Sequence, residues 1–133
     1  MYALEDLLTD PSKAEFVVVT VPTAMAVAET ERLVSSLASS GIAVRHVVLN
    51  QVMPPPPAPP PSAFDGAKPP PPSYADRLRQ GQGACVGELR AIAKAAAGKA
   101  TQEGDGAAVT EVPWLGEEAT GLAGLRELAK HLI

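Results

Sequence analysis

The apolar positions of this chain fall into blocks with different spacing. Phe16-Val-Val-Val-Thr-Val21 is an unbroken, mostly β-branched run, the pattern of a strand buried on both faces. Pro22 suits the first turn of a helix, Ala24, Met25, Ala28, Val34 and Leu37 follow at near-helical spacing, and Gly41 supplies a stop. Val44-Arg-His-Val-Val-Leu49 reads as a second strand. Strand, helix and strand in succession predict a βαβ unit with parallel strands and a right-handed crossover. Further on, Leu78, Cys85, Val86, Leu89, Ile92 and Ala96 share one face of a helix over Asp76–Ala97. Its Gly81, Gly83 and Gly87 each weaken it by about 1 kcal/mol relative to alanine. Thr101–Gly106 reads as a polar loop, Ala108–Val112 as a short strand ended by Pro113, and Glu118–Ile133 as a final helix with Leu122, Leu125, Leu128 and Leu132 in one stripe. The residues before Phe16 have the pattern of a helix tail, broken at Asp10-Pro11.

Between these two blocks the pattern vanishes. Eleven of the 14 prolines lie between Pro54 and Pro72. Proline has no amide hydrogen for helix or sheet ladders, so this stretch is expected to be polyproline II or disordered. The expected organisation is residues 1–52 as the first part of an α/β domain, 53–75 as a proline-rich disordered insert, and 76–133 as the second part. Three parallel strands with helices on both faces are too few to cover a sheet well. The fold class expected is therefore α/β, a partial doubly wound parallel sheet whose open edge something else buries, and which is only marginally folded alone.

Composition narrows the function. Eleven basic against 15 acidic residues give a net charge of −4 with no basic stripe, which argues against a nucleic-acid partner. A single cysteine, Cys85, excludes a disulfide within one chain and a Cys-only zinc site. No apolar run approaches the roughly 18 residues of a membrane span. The N-terminus Met-Tyr-Ala-Leu-Glu-Asp has neither basic nor apolar signal regions, so the cytoplasm is the expected compartment. A chloroplast or other organelle is the alternative if a transit peptide lies upstream.

Few residue groups carry chemistry. There is no Gly-x-Ser-x-Gly elbow, and only His46 and His131 could act as imidazole bases. His46 lies within a strand pattern and reads as an ordinary packed or edge histidine. Cys85 and the two histidines lack metal-ligand spacing, so Cys85 reads as a helix core thiol. Gly98-Lys99-Ala100-Thr101 looks like the end of a phosphate-binding loop, but the glycine needed five positions earlier is Ala93 and no strand precedes it. Gly81-Gln-Gly83 fails for the same reason. One constellation survives. Asn50-Gln51 ends the second strand, and Pro113-Trp-Leu-Gly-Glu-Glu118 follows the third. Ligands of open α/β sheets bind outside the carboxyl ends of strands, and a carboxamide that donates and accepts matches the edge of adenine. The alternative is that Asn50 caps a strand and Pro113 merely ends one.

Leu8-Thr-Asp-Pro11, then Glu15-Phe-Val-Val-Val-Thr-Val-Pro-Thr-Ala-Met-Ala-Val-Ala-Glu-Thr-Glu-Arg-Leu33, Gly41-Ile-Ala-Val-Arg45 and Val47-Val-Leu-Asn-Gln51 resemble the arsenical-pump and guided-entry ATPase family. Val112-Pro-Trp-Leu-Gly-Glu-Glu-Ala-Thr-Gly121 and the residues on to Leu132 continue the likeness. Members deliver tail-anchored membrane proteins or drive arsenite efflux, and the implied fold is half of a P-loop NTPase-like domain.

The resemblance implies that Asn50 contacts adenine and that Pro113, Trp114, Leu115, Gly116, Glu117, Glu118, Ala119 and Thr120 form the adenine loop. The family usually has Val-Arg-Gly where this chain has Ala119-Thr-Gly121. Thr23 falls where several members carry a nucleotide-contacting glutamate and others threonine. Glu31 matches a position used to dock on a membrane receptor, although the usual aromatic neighbour is Ala28 here. Aligning Gln82 with a family glutamine puts Pro72 and Ala75 where many members have the Cys-x-x-Cys pair of a shared zinc, so no zinc is expected. The P-loop, its lysines and the catalytic aspartate of the first switch are not in these 133 residues, and phosphoryl transfer needs such parts. The expectation is the C-terminal portion of an ATPase, without catalysis of its own. Its longer parent would bind ATP and Mg²⁺ as a homodimer, shield a tail-anchored client and meet a membrane receptor. The alternatives are a stand-alone interaction module whose proline tract binds an aromatic groove, and a fragment of an arsenite-efflux ATPase, for which the usual metalloid-binding cysteines are not recognisable.

Overall fold

The computed structural model describes residues 2–10, 12–57, 71–97, 107–116 and 120–132. The elements run α1 (Tyr2–Thr9), β1 (Phe16–Thr20), α2 (Ala24–Ser39), β2 (Val44–Val52), α3 (Tyr74–Ala97), β3 (Ala108–Pro113) and α4 (Gly121–Leu132). The strands form one parallel sheet in the order β1-β2-β3. The α/β class and the partial parallel sheet are those the hydrophobic pattern predicts.

Register sorts the side chains between the faces. Val18 pairs with Val47 and Thr20 with Leu49, while Val47 pairs with Val109 and Leu49 with Glu111. Paired residues in neighbouring strands point to the same face. On that face lie α2 and α3, which pack on each other and on the sheet. Two successive crossovers that place their helices on one face have the same hand. Val47, Leu49 and Leu89 are completely buried there, with Val18, Val27, Val34, Val44, Ala93 and Ala96 around them. Burying each of the larger side chains stabilises the fold by about 1.5–3 kcal/mol.

The other face is different. Val112, one step out of phase with Glu111, is buried outside this cluster and shares a cleft with Leu128 of α4. α4 thus covers β3 on the opposite face and, among the described residues, packs on no other element. Val17 and Val19 of β1 point the same way and are 52% and 64% exposed. The expectation of a first strand buried on both faces is therefore corrected: burial alternates along it, because among the described residues no helix packs on β1 from that side. Leu122, Leu125 and Leu132 are likewise exposed on α4, and α1 packs on no other element among the described residues.

Local chemistry moves several boundaries. α2 starts after its cap Thr23, whose Oγ1 accepts from the Ala26 amide at 3.3 Å, so Pro22 precedes the helix and is buried. Its inward face is Val27, Thr30 and Val34, with Leu37 packed alongside, rather than the predicted stripe through Ala24, Met25 and Ala28, which are exposed. The deciding residue is polar. The Thr30 hydroxyl donates to the Thr20 hydroxyl at 2.8 Å, which makes burial of both affordable. The helix ends as predicted near Gly41, at φ 75°. The Ile42 amide bonds to the Leu37 carbonyl at 2.9 Å and the Gly41 amide to the Ala38 carbonyl at 3.2 Å, the paired bonds of a Schellman end.

α3 begins at Tyr74 rather than Asp76, because Ser73 caps it. The Ser73 hydroxyl accepts from the Asp76 amide at 3.2 Å, and the Asp76 carboxylate takes the Ser73 amide at 2.9 Å. This is a capping box closed by aspartate. The Ser73 hydroxyl, which also donates to the Asp76 carboxylate at 2.7 Å, and then the Ser73 amide hold that carboxyl below its ordinary range. The strand β3 runs one residue further than predicted, to Pro113, and α4 is described from Gly121. Glu118, Ile133, the segment 98–106 and the middle of the insert (58–70) lie outside the described residues.

Replacing Thr20 or Thr30 singly by valine is expected to lower the melting temperature, through a stranded buried hydroxyl worth about 1–3 kcal/mol. The double variant is expected to recover most of that loss. With Val17, Val19 and the α4 stripe in water, the isolated chain is expected to melt broadly and at low temperature by calorimetry. A sharp, high-melting transition would contradict that.

Candidate functional site

The carboxyl end of β2 is irregular. Between Leu49, paired with Glu111, and Val52, paired with Pro113, β2 advances three residues while β3 advances two. The extra residue forms a bulge. Gln51 within it has φ 60°, the one non-glycine residue with positive φ among those described, a conformation L-residues adopt at a cost. The Asn50 Oδ1 accepts the Gln51 amide at 2.9 Å, which stabilises the bend.

What holds this strained segment is α3. The Gln82 carboxamide accepts from the Met53 amide at 2.8 Å and donates to the Gln51 carbonyl at 3.1 Å. It thereby substitutes for a strand neighbour on both sides of Val52. Three residues earlier on the same helix, Arg79 Nε donates to the Pro54 carbonyl at 2.7 Å. From the other side, the Trp114 amide bonds to the Val52 carbonyl at 2.8 Å. The ends of β2 and β3 are thus locked together next to Asn50.

Asn50 is half-buried and lines two clefts. One, of about 390 Å³, is enclosed by Gln51, Val112, Pro113, Trp114, Leu115 and Leu128. The other, of about 500 Å³, runs along the end of β1 and α2, past Thr20, Glu29, Thr30 and Leu33. The Asn50 Nδ2 group and the remaining lone pair of Oδ1 are the groups with which it can read a ligand edge. Beside it, Pro113 and Leu115 are half-buried, and the Trp114 ring is 52% exposed, so a flat apolar wall adjoins a donor–acceptor pair. Gly116, at φ 76°, then turns the chain.

The predicted site residues divide accordingly. Asn50, Pro113, Trp114 and Leu115 come together around one cleft. Gly116 and Thr120 are exposed and line neither, and Glu117, Glu118 and Ala119 lie outside the described residues. Thr23 lines neither cleft, and its hydroxyl is engaged as the α2 cap. Glu31 is exposed and borders a separate groove of about 220 Å³ between α2 and α3. His46 is half-exposed with Nδ1 3.2 Å from Glu15, and Cys85 packs half-buried against the core, both as ordinary structural residues do. Among the described residues no three His, Cys, Asp or Glu side chains converge as metal ligands, and no helix is long and apolar enough to cross a membrane.

Sequence reasoning passed over the roles of Gln82 and Arg79. Their three-residue spacing puts them on one helix face, but neither has a spacing signature that names a backbone partner some thirty residues away. Replacing Gln82 by leucine is expected to expose the Met53 amide. Native-state hydrogen exchange should show faster exchange at Met53 while Val47 stays protected. Equal protection at Met53 in both proteins would remove Gln82 from the clamp.

Comparison with known proteins bears on this site in part. The profile of the family described as anion-transporting ATPase matches residues 1–81, which hold β1, α2, β2 and Asn50 but not the loop after β3. The ATPase GET3B of Arabidopsis thaliana is 42% identical over 54 residues, covering 41% of this chain and 13% of that protein. The ATPase ASNA1 homolog of Cryptosporidium parvum is 45% identical over 51 residues, covering 38% and 14%. The ATPase ARSA1 of Chlamydomonas reinhardtii is 49% identical over 39 residues, covering 29% and 5%. The matched stretch therefore spans about one-seventh or less of these relatives' own length. With most of its residues under the family profile, and with the parallel βαβ arrangement that those residues form, the chain belongs to the anion-transporting ATPase family.

Proposed function

We propose that this chain supplies the adenine-recognition part of an ATP-dependent targeting ATPase, of the guided-entry kind that delivers tail-anchored membrane proteins. The observation that carries the reading is the placement of Asn50. Its carboxamide sits on a strained, clamped bulge at the carboxyl ends of the strands, between two clefts and beside Pro113 and Trp114. A donor and an acceptor on one planar group match the N6 amino group and an adjacent ring nitrogen of adenine. The proline and indole surfaces give the base an apolar wall.

Adenine fits the residues present. For Mg²⁺ the described residues bring together no three His, Cys, Asp or Glu side chains, and for the phosphates the 133 residues contain no phosphate-binding loop. Hydrolysis in this reading draws its phosphate clamp, metal and positioned water from residues other than these. What this chain does is orient the base and exclude water from its edge. A homodimer, a tail-anchored client and a membrane receptor belong to the same reading. It includes no zinc, since Pro72 and Ala75 occupy the positions of the cysteine pair. The arsenite-efflux alternative rests on the family alone.

Titration of the chain with ATP and, separately, GTP, followed by NMR, is the test. ATP is expected to shift the Asn50, Val112 and Trp114 signals more strongly than GTP does. Asn50→Ala is expected to weaken ATP binding by about 1–3 kcal/mol, through the lost pair of hydrogen bonds. Unchanged affinity in that variant would take Asn50 out of the site.

A further inference from the structure

The proline-rich segment re-enters the described structure at Pro71 and passes straight into α3 through Pro72, Ser73 and Tyr74. All four residues are exposed, and 74% of the Tyr74 surface is open to water. In a chain with only two tyrosines and one tryptophan, this ring is not used for packing. Its surroundings are ordered. The two prolines have φ held near −65° by their rings, and the capping box between Ser73 and Asp76 fixes the start of the helix on which Tyr74 is the first residue. Two adjacent prolines are followed at a set distance by an exposed phenol.

Polyproline II segments are bound by small domains that lay them into slots between aromatic rings, at low entropic cost because the ligand is already extended. Most such slots read prolines alone. One class of WW domain, a small twisted β-sheet, adds a second pocket that takes a tyrosine two positions after the second proline. The separation of Tyr74 from Pro72 is the one that this pair of pockets requires. We infer that Pro71-Pro72-Ser73-Tyr74 is a docking motif for a partner carrying a WW domain of this tyrosine-selecting class. Pro71 and Pro72 fill the aromatic slot, and the Tyr74 ring enters the adjoining pocket with its hydroxyl available for a hydrogen bond.

The earlier proline run does not offer the same ligand. Pro56-Pro57 is followed by Ala58-Pro59, and the carbonyl of Pro54 is occupied by Arg79. The capping box also lowers the cost of binding at 71–74, since the backbone that presents the ring is ordered beforehand. This interaction goes beyond the nucleotide reading and does not depend on it, because none of its residues lines either cleft at Asn50.

The test is calorimetric titration of the full chain with an isolated WW domain that selects Pro-Pro-x-Tyr ligands. Saturable one-to-one binding is expected, weakened at least about tenfold (about 1.4 kcal/mol) by Tyr74→Ala and unchanged by Pro56→Ala. Alanine at the first position of a helix is well tolerated, and far-UV circular dichroism checks that α3 is kept. If Tyr74→Ala lowers helicity, Pro72→Ala, which lies outside the helix, decides in its place. Absence of saturable binding at about 1 mM domain would overturn the inference. So would binding that survives loss of the tyrosine, which would mark a reader of proline runs instead.

Discussion

The rest of this structure depends on the burial of one face of a three-stranded parallel sheet under α2 and α3. Among the described residues, Val47 and Leu49 of the central strand and Leu89 of α3 are the large side chains fully withdrawn from water, and the other core residues surround them. Parallel strands cannot be joined by tight turns, so each pair needs a helix as its crossover. Packing α2 on α3 makes those connections also the core. Among the described residues the opposite face receives only α4, over β3. A layer buried on one side and half-open on the other is stable only as far as that single core carries it, and the exposed Val17 and Val19 mark where coverage stops.

The site follows from the same layer. A bulge at the end of β2 has only partial support from the sheet, since the ladder skips a residue there and resumes with the Trp114 amide on the Val52 carbonyl. The remaining support comes from Gln82 and Arg79, on the polar beginning of the helix whose later turns hold Leu89 and Ala93 in the core. One helix therefore does two things along its length: its apolar turns seal the sheet, and its amide and guanidinium groups fix the loop that presents Asn50. Disturbing the packing of α3 is expected to reach the segment around Asn50 through these hydrogen bonds.

How much of this was legible in the sequence varied with the kind of force involved. The three strands were readable because their segments are short, rich in valine and bounded by proline, glycine or polar turns. Gly41 and Pro113 marked ends for covalent reasons. The face of α2 was misread because hydrophobicity favours Met25 over Thr30, whereas the structure buries Thr30 against Thr20 and leaves Met25 in water. Such a pairing depends on a partner in another element, which no local pattern contains. The start of α3 was written in the Ser-x-x-Asp of its capping box, a signal outweighed by the prolines just before it. That Asn50, Pro113 and Trp114 meet around one cleft could be read from the strand ends they occupy. The clamp by Gln82 could not, because it is a long-range bond from a side chain to backbone.

The proline tract is tolerated for a related reason. Its two ends are anchored at the same place, the first turns of α3: Pro54 through Arg79, and Ser73 through the helix cap. Once both ends are fixed, lengthening the connection between them costs little, about 0.6 kcal/mol for each doubling of a flexible loop. The bulge at the end of β2 is therefore held by Gln82 and Arg79 and not by the length of the connection. A ligand motif at the tract's C-terminal end, where the chain is already ordered by the cap, gains preorganisation that the same residues in a free tail lack.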